Sequence, residues 1–114
     1  MTKALIVLHA AADAADNRAL TALRLAGALM ADNKDVTLFL VESGATLADP
    51  ALDAENPCRS LFYEMLELGM LVYVCGATMR KLGLEEASLP AGAQRSSMKA
   101  LSMLMTEADE ILSF

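Results

Sequence analysis

Short apolar runs alternate along the chain with segments in which apolar residues recur every three or four positions. The runs are typical of buried β-strands, and the periodic segments are typical of helices with one apolar side. We predict strands at residues 3–9, 36–41, 70–74, 93–95 and 111–114. We predict helices at residues 17–30, 56–69, 77–82 and 97–106, with a further short helix at 45–48 in the long loop 42–57.

Polar and helix-breaking residues mark the ends of these predicted helices. Asp13 and Asp16 are candidate N-caps of the first helix, and Asn56 followed by Pro57 suits the start of the second. Gly69 is expected to end that second helix. We predict that its inner face carries Leu61, Met65 and Leu68.

Strands that alternate with helices imply parallel pairing, with the connecting helices packed on both faces of the sheet. The expected fold is therefore α/β: one three-layer α/β/α domain spanning residues 1–114, with a mostly parallel five-stranded, flavodoxin-like sheet. The chain has neither a run of about 20 apolar residues nor a signal-peptide pattern, so we expect a cytoplasmic protein without membrane spans.

Composition narrows the classes of partner. The net charge is −6 and aromatic residues make up 4%, which argues against nucleic acids and anionic membranes as partners. Hydrophobic residues make up 55%, so apolar surface should remain outside the core of so small a domain. We therefore expect a homo-oligomer. The eight methionines are expected to be mostly core residues, with a few at a subunit interface.

Common cofactor and metal motifs are absent from the sequence. There is one histidine and no CxxC pair, so a zinc site has too few ligands. There is also no GxGxxG, no Walker lysine loop and no GxSxG elbow. We expect neither a metal nor a cofactor, and the remaining candidate chemistry is that of the two cysteines.

Three predicted strands end in polar or reactive residues: His9, Glu42 and Cys75. Ligands of open parallel sheets bind at the carboxyl ends of the strands. Cys75 is the strongest candidate, because Gly76 permits a turn into a helix that also carries Arg80 and Lys81. A helix N-terminus and nearby cations both favour a thiolate. The alternative is that Cys75 is a small packing residue at a buried strand end.

Two further residues have weaker claims to a role. Cys58, at the start of the second helix, is either a packing residue or a resolving thiol for Cys75. His9 is either a proton donor or base for the thiol, or hydrogen-bonded scaffolding. The sequence alone leaves both pairs of alternatives open.

In three stretches the chain resembles the DsrE/DsrF-like sulfur-relay family, which includes YchN-like and TusD-type proteins. These are KALIVLHAAADAADNRALTALRLAGALM, LVYVCGATMRKLGL and the ending LMTEADEILSF. The resemblance spans essentially the whole chain, through the order and spacing of these stretches. It implies a DsrEFH-like fold, and it places Cys75 at the position of the sulfur-carrying cysteine. It also implies trimers or hexamers. Some relatives have a second cysteine where this chain has Thr78.

Three functions are therefore compared below. The first is a sulfurtransferase-like carrier, rather than a stand-alone enzyme, that takes sulfur as a Cys75 persulfide from a donor protein and passes it to an acceptor protein. The second is a non-catalytic oligomeric binding or regulatory protein in which Cys75 only packs. The third is a small redox enzyme that uses Cys58 and Cys75 as a pair.

Overall fold

The computed structural model describes all 114 residues and contains the five predicted strands. They are β1 (Lys3–Leu8), β2 (Asp35–Leu40), β3 (Leu71–Cys75), β4 (Ala93–Ser96) and β5 (Glu110–Ser113). The α-helices are α1 (Arg18–Ala31), α2 (Pro57–Glu67), α3 (Gly76–Leu82) and α4 (Met98–Glu107). Two 3-10 helices, Glu42–Ala48 and Glu86–Ser88, lie in the connections. The first is longer than predicted and the second was not predicted.

All five strands are parallel and form one sheet in the order β4-β3-β2-β1-β5. The α/β fold class predicted from the sequence is confirmed, and the sheet is parallel throughout. The chain adds β2, β3 and β4 successively on one side of β1, and then crosses the sheet to place β5 on the other side.

The two faces of the sheet carry separate apolar clusters. The larger cluster contains 22 buried residues and packs the sheet against α1, α2 and, through Met79, α3. The smaller contains six and packs the other face against α4 through Leu101. On β3, Val74 points into the larger cluster and Cys75 into the smaller one, as expected for the alternation of side chains along a strand.

The first helix begins differently from the prediction. Asn17 occupies the cap position in a left-handed conformation, with φ of 58°, and its side chain makes no capping hydrogen bond. Asp13 is therefore not the cap. Asp16 binds the helix start from outside: Arg18 donates from Nε to Asp16 Oδ2 at 2.8 Å and from its backbone N–H to Oδ1 at 3.2 Å. These bonds hold the pKa of Asp16 below its usual range. The second predicted cap is confirmed, because Asn56 Oδ1 accepts from the Cys58 N–H at 2.8 Å.

Two predictions about burial are wrong. Leu68 is 63% exposed instead of facing inward, since α2 ends at Glu67 and Leu68 lies just beyond it. Of the eight methionines only three are buried, Met65, Met70 and Met79, and four are exposed. Three of the exposed four lie on α4, whose only buried residue is Leu101, with Leu104 partly buried against the same apolar cluster.

Candidate functional site

The chain changes from one face of the sheet to the other between β3 and β4. These strands are neighbours, with Cys75 paired to Ser96, yet α3 follows β3 on one face and α4 follows β4 on the opposite face. The loops after two such strands separate and leave a crevice at their carboxyl ends. This is the place where open parallel sheets bind ligands.

A cavity of about 270 Å³ occupies this crevice. It lies among the end of β3, the first turn of α3, the end of β4 and the start of α4. Its lining combines polar and basic residues with small or apolar ones. The lining residues are Cys75, Gly76, Ala77, Arg80, Arg95, Ser96, Ser97 and Met98. The predicted candidates Cys75, Gly76 and Arg80 are thus brought together.

Cys75 is both a wall of this cavity and part of the core. Its side chain is 4% exposed and belongs to the smaller apolar cluster, with Phe39, Val41 and Leu101 among its members. It forms no disulfide. The Cys75 thiol therefore packs among apolar side chains between the sheet and α4. The cavity lies next to Cys75.

Gly76 allows a close approach between α3 and β4. A Cβ atom added at this position would lie 2.6 Å from Arg95 Nε and 3.2 Å from the backbone oxygen of Ser96. The Arg95 guanidinium thus lies directly over the first residue of α3. Any larger residue at position 76 would have to move that guanidinium away.

Both arginines at the cavity lack a partner within the chain. Neither Arg80 nor Arg95 makes an ion pair, and neither guanidinium makes a hydrogen bond. The cavity lining contains no carboxylate. The site therefore carries two positive charges without compensation, in a chain whose net charge is −6.

Lys81 and Glu42 pair with each other away from the cavity. Lys81 Nζ lies 3.3 Å from Glu42 Oε2, and both side chains are largely exposed. An ion pair this exposed contributes little stability. Lys81 was predicted to support Cys75, but it does not line the cavity. Successive residues of a helix point about 100° apart, so Lys81 points away from the direction taken by Arg80.

Thr78 fastens α3 to the end of β2. It is 3% exposed, and its hydroxyl oxygen accepts a hydrogen bond from the Glu42 N–H at 3.1 Å. Glu42 has a φ of 49°, which is unusual for a residue other than glycine. The bond to Thr78 satisfies the amide of this strained residue and holds the start of α3 in place.

Cys58 lies on the opposite side of the sheet from Cys75. It belongs to the larger cluster, and its thiol donates to the Ala12 carbonyl oxygen at 3.6 Å. Burial raises the pKa of the Cys58 thiol. Because the sheet separates the two sulfur atoms, they cannot approach to disulfide distance in this fold. The structure thus does not bring together the pair that a dithiol redox enzyme needs.

His9 lies at the end of β1, which is separated from β3 by β2. Two strand spacings amount to about 10 Å. The backbone N–H of His9 donates to the Phe114 carbonyl oxygen at 2.7 Å, and its exposed side chain is not part of the cavity lining. His9 is therefore not placed to exchange a proton with the Cys75 thiol.

No group of three or more His, Cys, Asp or Glu side chains is arranged to hold a metal ion. None of the helices combines the length and apolar character needed to cross a membrane.

Sequence reasoning missed three residues of this cavity: Arg95 and Ser96, which end β4, and Ser97, which caps α4. The sequence did contain one indication of Arg95. Like Cys75, Arg95 lies at the end of a predicted strand, and the carboxyl ends of parallel strands lie at the same edge of a sheet. Its adjacency to Cys75 depends on strand order, which the sequence pattern does not contain.

The chain is similar to proteins of known sequence and structure over nearly its whole length. The sequence model of the DsrE/DsrF-like family matches residues 3–114. "Uncharacterized protein MJ0989" of Methanocaldococcus jannaschii is 32% identical over 102 residues, covering 85% of this chain and 87% of that protein. "Uncharacterized protein MK0008" of Methanopyrus kandleri is 28% identical over 99 residues, covering 85% and 82%.

Two solved structures share the fold over the full length of both chains. The crystal structure of the ychN protein from E. coli superposes with a TM-score of 0.88 at 24% identity. MTH1491 from Methanobacterium thermoautotrophicum, a protein of unknown function, superposes with a TM-score of 0.82 at 16% identity.

Proposed function

Because the chain belongs to the DsrE/DsrF-like family, we propose that it is a cytoplasmic sulfur carrier that holds sulfane sulfur as a persulfide on Cys75. Family membership supports a place in a sulfur relay. The assignment to Cys75 is supported by one observation above all: this cysteine borders the cavity at the carboxyl ends of β3 and β4.

The proposed chemistry is thiolate exchange at sulfur. The Cys75 thiolate attacks the outer sulfur of a donor persulfide, the donor S–S bond breaks, and the donor sulfur leaves with the electron pair as a thiolate. Cys75 then carries one extra sulfur. The thiolate of an acceptor protein attacks that outer sulfur in the same way and releases the Cys75 thiolate. No oxidant or reductant is consumed.

The surroundings of the two cysteines differ. Cys75 borders a cavity that Arg80 and Arg95 also line, and neither arginine makes an ion pair within the chain. At Cys58, burial raises the pKa of the thiol and favours the less nucleophilic protonated form. We therefore assign the carrier role to Cys75 alone.

The test is to treat the protein with inorganic polysulfide and weigh it intact. Wild type and Cys58→Ser should each gain the mass of one sulfur atom, and Cys75→Ser should gain none. The loaded protein should then lose that sulfur to a small thiol. An equal gain of sulfur on Cys75→Ser would exclude Cys75 as the carrier.

A second candidate function is supported by the burial of Cys75. A side chain that is 4% exposed and packed with Phe39 and Leu101 fits a structural residue in a non-catalytic binding or regulatory protein. The two functions differ in thiol reactivity. If iodoacetamide modifies Cys75 at neutral pH more slowly than it modifies a cysteine in an unstructured peptide, the second function is favoured.

We also propose that the chain forms a homo-oligomer, a trimer or hexamer, through the face of the sheet that carries α4. One helix covers this face only in part. A cavity of about 530 Å³ remains beside it, lined in part by Leu5, Leu71, Tyr73 and Leu104. Leu71 is 52% exposed and Ile111, on β5, is 49% exposed. Large apolar surface of this kind is typical of subunit contacts.

A further inference from the structure

We infer that Arg80 and Arg95 form a binding site for a small, multiply charged oxyanion in the cavity beside Cys75. The inference goes beyond sulfur transfer, since the site would bind the anion whether or not Cys75 carries sulfur. The ligand class is a tetrahedral oxyanion of sulfur or phosphorus, either free or as the anionic group of a larger molecule.

The first argument is the distribution of positive charge. The chain has nine Lys and Arg residues. Five of them contact a carboxylate or a backbone carbonyl: Lys3, Arg18, Lys34, Arg59 and Lys81. Two of the remaining four, Arg80 and Arg95, border the same small cavity. In a chain with an excess of carboxylates, these two exposed guanidinium groups have no carboxylate partner at the cavity, so they remain free to bind an external anion.

The second argument is the shape of the cavity. Its volume of about 270 Å³ is below the range of about 300–1,000 Å³ usual for organic ligands, so a compact ligand fits best. Arg95 approaches from β4 and Arg80 from α3, so the two guanidinium groups belong to different elements. The hydroxyl groups of Ser96 and Ser97 are further polar groups of the lining. Guanidinium groups bind tetrahedral oxyanions through paired charge-assisted hydrogen bonds.

The third argument is Gly76, which allows Arg95 to occupy its position. The guanidinium lies where a side chain at position 76 would begin, 2.6 Å from an added Cβ at Nε. The arginine therefore lies over the start of α3, at the cavity, while remaining exposed to solvent.

The test is calorimetric titration with sodium sulfate and, separately, with inorganic phosphate, against sodium chloride at equal ionic strength. We expect saturable binding of the oxyanions and none of chloride. In amide NMR spectra the signals of Gly76, Ser96 and Ser97 should shift. Arg80→Gln and Arg95→Gln should each weaken binding at least tenfold, which corresponds to about 1.4 kcal/mol, since each removes charge-assisted hydrogen bonds.

Arg24→Gln is the matched control, because Arg24 is an exposed, unpaired arginine on α1 that is not part of the cavity lining. It should bind sulfate like wild type. All three arginines are exposed, and melting curves without oxyanion check that each variant is folded. If sulfate and phosphate act no differently from chloride, or if Arg24→Gln weakens binding as much as Arg95→Gln, the inference is wrong.

Phenyl phosphate distinguishes the two sources of the ligand. Tighter binding than inorganic phosphate indicates the anionic group of a larger molecule, and weaker binding indicates a free anion. Sulfur loading and sulfate binding are measured on the same wild-type protein. Failure of sulfur loading with intact sulfate binding would remove the proposed carrier function alone, and the reverse result would remove this site alone.

Discussion

Replacing Thr78 by valine tests whether one buried hydroxyl holds α3, and with it the cavity, in place. Valine keeps nearly the same shape and removes the oxygen that accepts the Glu42 N–H at 3.1 Å. Thr78 is 3% exposed and the bond to Glu42 is partly buried, so water replaces that oxygen only in part. A donor left without a partner in such a place costs about 1–3 kcal/mol.

The cost can be converted into a melting temperature. For a chain of this length, 1 kcal/mol corresponds to about 4 °C, so Thr78→Val should melt about 4–12 °C below wild type. The assay is thermal unfolding followed by circular dichroism. The protein concentration must be the same for all variants, because oligomers melt at concentration-dependent temperatures.

Two control variants separate the loss of the Thr78 hydroxyl from other effects of the substitution on stability. Thr78→Ser keeps the acceptor and loses one methyl group, which should cost about 0.8 kcal/mol. Thr21→Val removes an exposed hydroxyl that donates to the Asn17 carbonyl oxygen at 3.1 Å, and should change stability by less than about 0.5 kcal/mol. If Thr78→Val melts within 2 °C of wild type (roughly 0.5 kcal/mol), or no lower than Thr78→Ser, the bond to Glu42 does not hold α3 in place.

Three further predictions concern the site, the second cysteine and the assembly. Gly76→Ala should leave the free energy of unfolding within about 1 kcal/mol of wild type, because alanine favours helices and the Arg95 side chain can move. The same substitution should weaken sulfate binding in the calorimetric titration, since it displaces the Arg95 guanidinium. The raised pKa of Cys58 means that the folded state holds this proton more tightly than the unfolded state. Stability should therefore fall as the pH rises above about 8.5, the ordinary pKa of cysteine, and Cys58→Ala should lose that part of the decline in denaturant titrations. Leu71→Asp places a charge on the open apolar face and should lower the mass measured by light scattering towards that of one subunit; an unchanged oligomer would show that the contacts lie elsewhere.

Much of this fold could be predicted from local patterns. The apolar runs located β1, β2, β3 and β5, and Asn56 followed by Pro57 located the start of α2, because strand burial and helix capping depend on neighbouring residues. The prediction failed at Leu68 and at the methionines of α4. Apolar periodicity identifies the apolar face of a helix. It does not indicate how much of that face is covered by other elements, and this coverage decides which side chains are exposed.

The candidate site divides in the same way. The sequence by itself placed Cys75 and Gly76 at a strand-to-helix junction, since both belong to one continuous segment. Only the tertiary structure decided that Arg95 joins them, that Lys81 turns to Glu42, and that Cys58 lies across the sheet. The physical reason is that strand order and the face taken by each crossover helix arise from packing between distant segments. Two residues twenty positions apart become neighbours only when β4 pairs with β3.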